Sequence, residues 1–313
     1  MKLLIVIVNY RTADLTIDCL RSLREQVRNN RAVVVDGDSQ DGSAQKIASA
    51  IMENGWGRWV SLLALDQNGG FAFANNAAIR PALRAPDGPQ YVLLLNPDTL
   101  ARAGAVGSLL DFMDSHPDVG IAGSRLEELD ETPHQSAFRF PSVLSELESG
   151  ARIGLVSSLL RRYLVPMPVP REACEVDWVA GASMIVRREV FDAVGLLDEH
   201  YFMYFEEVDF CLRARKAGWT CWYVPEARVV HLVGRSSGVT DASRARMRRP
   251  GYWFASRRRF FLTHYGRART LAADMLWAAG FALWRFRRAV FRRPDNDPAH
   301  LLTDFLRYNL LLR

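Results

Sequence analysis

The stretch VVVDGDSQDGS, residues 33–43, runs three valines directly into three aspartates and two glycines. A β-branched run of this kind reads as a buried strand, and the acidic turn then sits at its carboxyl end. A calcium loop fits poorly. Asp36 and Asp38 could be ligands, but Gln40 holds the third ligand place and Gly42 comes one position late. A phosphatase-type Asp-x-Asp turn fits no better, since no Thr or Val follows the pair and lysine occurs only at 2, 46 and 216. What remains is a strand-to-helix turn in which Asp41 or Ser43 caps a helix through SAQKIASAIMENG. That leaves Asp36 at the position where open α/β sheets bind their ligands.

The same alternation extends on both sides. LLIVIVNY (3–10) predicts a strand and TADLTIDCLRSLREQ (12–26) an amphipathic helix with Leu15, Cys19, Leu20 and Leu23 on one side. WVSLLALDQNGG (59–70) and YVLLLNPDTL (91–100) predict strands, with a helix in FAFANNAAIRPAL between them. GAVGSLLDFMDSHP (104–117) is a helix and VGIAGSRL (119–126) a strand. VDWVAGASMIVRREVFDAVG (176–195) returns to strand and helix, YFMYFEEVDFCLRARKAGW (201–219) is a turn and a helix stopped by Gly218, and CWYVPEARVVHL closes with a strand. The expected architecture is α/β with a mostly parallel, helix-covered sheet. Residues 141–172, with Pro141, Pro166, Pro168 and Pro170, are expected to be an irregular, mobile loop.

A chain of 313 residues with 49% hydrophobic content can bury a sizeable core in one large domain or two modest ones. Its four cysteines, at 19, 174, 211 and 221, have no metal or disulfide spacing and fit a reducing, cytoplasmic compartment. The apolar start is short and lacks a small-residue cleavage site, so it reads as the first strand rather than a signal peptide. The net charge of +5 is unevenly spread. Residues 241–313 hold 16 arginines and 5 acids, a balance of +11 that leaves −6 for residues 1–240. This divides the chain into a mildly acidic body and a basic, tryptophan-rich tail. A nucleic-acid-binding role is disfavoured, because acids line the strand ends and the tail alternates Arg with bulky apolar residues.

Polar groups gather where the strands stop: Asn9, Tyr10, Asp36, Asn68, Asn96, Asp98, Asp177 and His231. In a parallel sheet these ends share one edge and form an acidic cleft. LLLNPDT places Asn96 and Asp98 on one side of an extended segment, where oxygen donors suit Mg²⁺ or Mn²⁺ beside a diphosphate. The plain alternative is an ordinary Asn-Pro-Asp turn. His231 could be structural, but Mn²⁺ accepts imidazole beside carboxylates. FEEVDF puts Glu206, Glu207 and Asp209 at a helix start. There the helix dipole alone could explain them, while crowding would raise a pKa toward that of a general base.

In their order, VNYRT, VVVDGDSQDGS, NGGFAFANN, LLLNPDT, WVAGASMIVRREVF, FMYFEEVDFCLRARKAGW and VVHLVGRSSG resemble glycosyltransferase family 2, the inverting GT-A enzymes, and especially its rhamnosyltransferase branch. The likeness covers about residues 3–240. It implies a Rossmann-like nucleotide-binding half and an acceptor half on one continuous sheet, with residues 1–240 as the catalytic domain. By resemblance, Tyr10 lies against a pyrimidine base and Asp36 bonds the base or ribose, with Asn9, Arg11 and Asp38 beside them. Asn68, Gly70 and Asn75 border the donor, and Asn96 faces the ribose. Asp98 and His231 bind the metal. Glu207 stands at the base position, flanked by Glu206 and Asp209, and Asp177, Trp178 and Gly181 form the acceptor-side wall. The implied reaction moves a sugar from a nucleoside diphosphate donor, dTDP-L-rhamnose by branch, to a glycan or lipid-linked acceptor. Another UDP- or dTDP-sugar, or a non-catalytic nucleotide-sugar binder, stays open.

The tail has its own expectation. LAADMLWAAGFALW (271–284) is too short and too closely flanked by arginine to cross a bilayer, which takes about 20 apolar residues. Trp277, Phe281 and Trp284 recur near helical spacing. They are expected to line an interfacial helix on the anionic inner face of the cell membrane, or else to pack on the catalytic body or in a homodimer.

Overall fold

The computed structural model describes residues 1–27, 30–232, 247–292 and 294–311. The end of the VVHLVGRSSG motif, 233–238, and the first residues of the tail, 241–246, lie outside the described residues.

The expected alternation is present. β1 (Leu3–Asn9), α1 (Ala13–Leu23), β2 (Arg31–Asp36), α2 (Ser43–Glu53), β3 (Val60–Ala64), α3 (Gly70–Arg84) and β4 (Tyr91–Leu95) form the first half. β5 (Thr99–Ala101), α4 (Ala105–Ser115), β6 (Val119–Glu127), β7 (Ala137–Phe138), α5 (Val143–Ala151) and α6 (Gly154–Leu159) follow. Next come β8 (Cys174–Val176), β9 (Trp178–Val179), β10 (Ser183–Arg187), α7 (Arg188–Val194), α8 (Glu206–Lys216) and β11 (Thr220–His231). The tail contributes α9 (Gly251–Val290) and α10 (Leu301–Leu306).

The main sheet is ordered β3-β2-β1-β4-β10-β6-β11-β5, with β8 paired on β11. β3, β2, β1 and β4 are parallel, so their carboxyl ends do share an edge. Beyond β4 the sheet is mixed. β10 runs antiparallel between β4 and β6, and β11 is parallel to β6 but antiparallel to β5 and β8. Hydrophobic runs buried on both faces do not report strand direction, which is why the sequence pattern does not separate β10 from its neighbours. Side chains such as Ile5, Ile7, Val34, Leu93 and Ile185 fill one face and Val6, Val92, Leu94, Met184 and Val186 the other.

The expectation of an irregular loop over 141–172 is corrected for its first half, where α5 and α6 form, while 164–172 carries no helix or strand. Ser142 caps α5 by accepting the Ser145 amide, while Ser145 Oγ accepts the Ser142 amide in return. The prolines that suggested an irregular loop lie just before this cap and after α6. α5 crosses α9 where two glycines meet. A Cβ on Gly150 would lie 2.5 Å from the Trp277 carbonyl oxygen, and one on Gly280 2.8 Å from the Ala151 nitrogen.

The tail is built into the body. Phe260, Phe261 and Ala273 pack with Tyr201 and Val208, and Tyr265 donates to the Pro141 carbonyl. Buried Arg257 binds Glu146 at 2.7 Å and Asp274 at 2.6 Å. Breaking such a buried pair by removing one partner costs about 3–5 kcal/mol. Trp277 and Phe281 are buried with Phe254, Leu301 and Phe305. The side of the helix expected to face a membrane is therefore turned inward, because rings at this spacing find their apolar partners in α10 and the start of α9.

Candidate active site

The opening turn divides its acids by role. Neither Asp41 nor Ser43 is the cap of α2: Gly42 takes that position with no side-chain bond, and Asp41, one residue before it, accepts the Ser43 amide as a turn contact. Asp38 stands in a left-handed conformation, φ 58°, and is half-buried. Asp36 is buried at the end of β2, in register with Asn9 of β1. Asn9 Nδ2 donates to Asp36 at 2.6 Å, and the side-chain Oδ1 of Asn9 accepts from the Thr12 amide and hydroxyl and from the Thr16 hydroxyl. Ser39, which the sequence did not single out, completes this clamp. Its amide and hydroxyl both donate to Asp36, and its hydroxyl accepts the Arg11 amide. The two strand ends are thus locked before any ligand arrives, with Tyr10 38% exposed beside them and the Arg11 guanidinium over its ring. A serine three residues after an aspartate at a strand end is the one signal that could have named Ser39.

Three further residues expected on the donor side, Asn68, Gly70 and Asn75, lie at or just before the start of α3 or within it. Asn68 accepts the Gly70 amide. Gly70 has φ +89°, and a Cβ there would collide with the Phe202 carbonyl, while Phe71 donates its amide to that same oxygen. Asn75 donates to the Phe71 carbonyl, and its own Oδ1 is buried without a partner among the described residues. Gly70→Ala is expected to destabilise the fold by about 1–3 kcal/mol, because it adds backbone strain and pushes away the segment leading to α8. A melting curve matching wild type would contradict this reading of the contact.

Asn96 donates its amide to the Ala182 carbonyl and accepts the Thr99 hydroxyl on its own. Pro97 and Asp98 then turn into β5, which pairs with the end of β11 so that Thr99 faces His231. The Asp98 carbonyl accepts the Leu232 amide, and its carboxylate lies 3.5 Å from His231 Nε2. Two donors bound at about 2.1 Å to one octahedral cation stand about 3 Å apart. The carboxylate–imidazole pair therefore fits a hard or borderline divalent ion. No cluster of three or more such ligands occurs among the described residues, so oxygens from elsewhere would have to complete the shell.

The residues expected on the acceptor side adjoin this edge through Ala182, whose carbonyl accepts the Asn96 amide. The neighbouring Gly181 has no side chain, and a Cβ there would lie 3.7 Å from Glu207 Cβ and 3.8 Å from the Phe71 ring. Trp178 stacks on Phe138 with centroids 4.1 Å apart and donates to the Arg139 carbonyl. Asp177 is spent on the Phe140 amide and Arg215.

The three acids of α8 part company. Asp209 is buried, ion-paired with Arg213 and hydrogen-bonded to His264 Nε2, each at 2.7 Å. Burial alone would raise its pKa, but the bonds from His264 and Arg213 outweigh that and hold it low. Asp209 therefore ties α8 to the tail helix, a long-range contact that no local motif announces. Glu206 is buried and strongly raised by desolvation and by the charge of Glu207. Glu207 is raised to about 7 by burial. Its Oε2 has no hydrogen-bond partner among the described residues, although the side chain is only partly covered. A carboxyl poised near neutrality beside Gly181 is suited to taking a proton.

Residues 2–253 match the family model described as glycosyltransferase-like family 2. The chain belongs to glycosyltransferase family 2. It is 30% identical over 222 residues to the N-acetylglucosaminyl-diphospho-decaprenol L-rhamnosyltransferase of Mycobacterium tuberculosis, an alignment covering 67% of this chain and 69% of that one. It is 25% identical to the dTDP-rhamnosyl transferase RfbF of Shigella flexneri, over 74% of this chain and 69% of that one. Among solved structures, the mannosyltransferase PcManGT of Pyrobaculum calidifontis, in complex with GDP-Man and Mn²⁺, superposes with a TM-score of 0.56 at 15% identity. That match covers 94% of this chain and 76% of the other. This likeness gives the glycosyltransferase the GT-A fold, whose sheet edge carries the residues described above.

Proposed function

We propose that this glycosyltransferase moves L-rhamnose from dTDP-L-rhamnose to a hydroxyl of a lipid-linked glycan acceptor, with inversion at the sugar carbon. The observation that carries the reading is the meeting of Glu207, Gly181 and Phe71 beside the strand edge that holds Asp98 and His231. The rhamnosyltransferase relatives supply the choice of sugar, and the mycobacterial one the diphosphate-lipid acceptor class.

In this mechanism the ionised Glu207 carboxylate takes the proton of the acceptor hydroxyl as its oxygen attacks the anomeric carbon. The bond from that carbon to the diphosphate breaks on the opposite side, and the nucleoside diphosphate leaves. Asp98 and His231 would hold Mn²⁺ or Mg²⁺, which supplies positive charge for the departing diphosphate. Asp36, fixed by Asn9 and Ser39, receives the base or ribose, and Tyr10 offers its ring to the pyrimidine. Asn96 faces the ribose, Asn68, Gly70 and Asn75 border the donor, and Trp178 walls the acceptor. One base and one displacement suffice, so no covalent nucleophile is needed.

The test is a donor panel assayed against polyprenyl-diphosphate-linked N-acetylglucosamine with Mn²⁺ or Mg²⁺. The expected result is transfer from dTDP-L-rhamnose in preference to UDP-hexoses. Turnover of a UDP-hexose alone would redirect the donor. Donor-induced thermal stabilisation with no turnover of any donor would favour a non-catalytic binder.

A further inference from the structure

The tail helix is apolar on two opposite faces, and the body covers only one. α9 breaks at Gly266, φ 74° and ψ 171°, and its second limb runs through Val290. On that limb Trp277 and Phe281 face inward. On the other side Leu271, Met275, Leu283, Phe286 and Val290 are 42, 58, 46, 67 and 58% exposed. They recur three, four or eight residues apart. At about 100° per residue they fall, with exposed Ala279 and Ala282, in a stripe roughly 120° wide, opposite the buried face. Arg267 and Arg285 are eighteen residues apart, five full turns, and mark one border of the stripe. Arg269 and Arg287 have the same spacing and mark the other border. No acid occurs between Asp274 and Asp295, and Asp274 itself is buried against Arg257.

We propose that this outer stripe lies on an anionic phospholipid surface. The limb would rest in the plane of the interface, its apolar side chains at the headgroup–acyl boundary and its two arginine rows at the phosphates. No helix among the described residues is long and apolar enough to cross a membrane, which suits a helix that lies on one. Charge decides the occupant. A second copy docked stripe to stripe would set arginine rows against arginine rows, with no acid in the stripe to pair them. A sheet of lipid phosphates answers both rows at once. The inference goes beyond the transfer reaction, since it concerns a face that the catalytic edge does not use and is read without turnover.

The experiment is cosedimentation of the full chain with vesicles of phosphatidylcholine, alone or mixed with phosphatidylglycerol, at low and high salt. The wild type is expected to bind the mixed vesicles at low salt and to be released by high salt. Met275→Asp combined with Phe286→Asp, and separately Arg267→Gln combined with Arg285→Gln, should each weaken binding by about tenfold or more. These side chains are exposed, so unchanged melting should certify the fold of both double variants. Absence of binding by the wild type would overturn the proposal, as would apolar-stripe variants that bind like wild type. Sedimentation velocity supplies the remaining outcome. A dimer that the M275D/F286D pair dissolves, in a protein that ignores vesicles, would assign the stripe to a second copy instead.

Discussion

Glu207→Gln is expected to lower kcat by about 10²-fold or more while leaving donor affinity nearly unchanged. The amide keeps the size of the side chain against Gly181 and Phe71 but cannot accept the acceptor's proton. The pH profile should change with it. Burial raises the Glu207 carboxyl to about 7, so the wild-type rate should climb as pH rises through that region and the base ionises. The residual rate of the variant should not follow that curve. Stability runs the other way. A carboxyl raised in the folded state favours folding below its unfolded pKa, and that contribution is lost as pH rises through about 7. The variant should therefore melt no lower than wild type at pH 8. Normal transfer by Glu207→Gln, with loss in Glu206→Gln, would move the base to the neighbouring residue.

Asp98→Ala is expected to cost about 10³-fold or more in transfer, the rate equivalent of several kcal/mol of lost stabilisation of the leaving group. Asp98 is 1% exposed, but its backbone pairing to Leu232 is kept in the variant, so the fold should survive. Excess EDTA should reduce the wild type to the level of the variant, and the variant should show no metal-dependent gain in donor-induced melting temperature. Full wild-type activity in EDTA would contradict the assignment of Asp98 and His231 together.

The parts legible in the sequence were those written in local pattern. Valine runs ending in acids marked the strands and their shared edge, and Gly218 marked the end of α8. Strand ends placed Asp98 and His231 on one edge and the family resemblance named them as a pair, although 133 residues separate them. What the pattern could not carry were contacts fixed only by packing. Asp209 looked like one of three equivalent acids until His264, from the tail, took one of its oxygens. Ser39 looked like a turn serine until the Asn9–Asp36 pair closed on it. The tail helix is the clearest case. With apolar residues on both sides, its periodicity announced an amphipathic element but gave no sign of which side α5 and α10 would bury.

The most direct test of the central claim is the anomeric configuration of the sugar in the transfer product, read by NMR against that of the donor. A single displacement driven by Glu207 predicts inversion, with no sugar covalently bonded to the enzyme at any stage. Retention of configuration, together with a glycosyl adduct on a carboxylate of the cleft in intact-protein mass spectra, would contradict it.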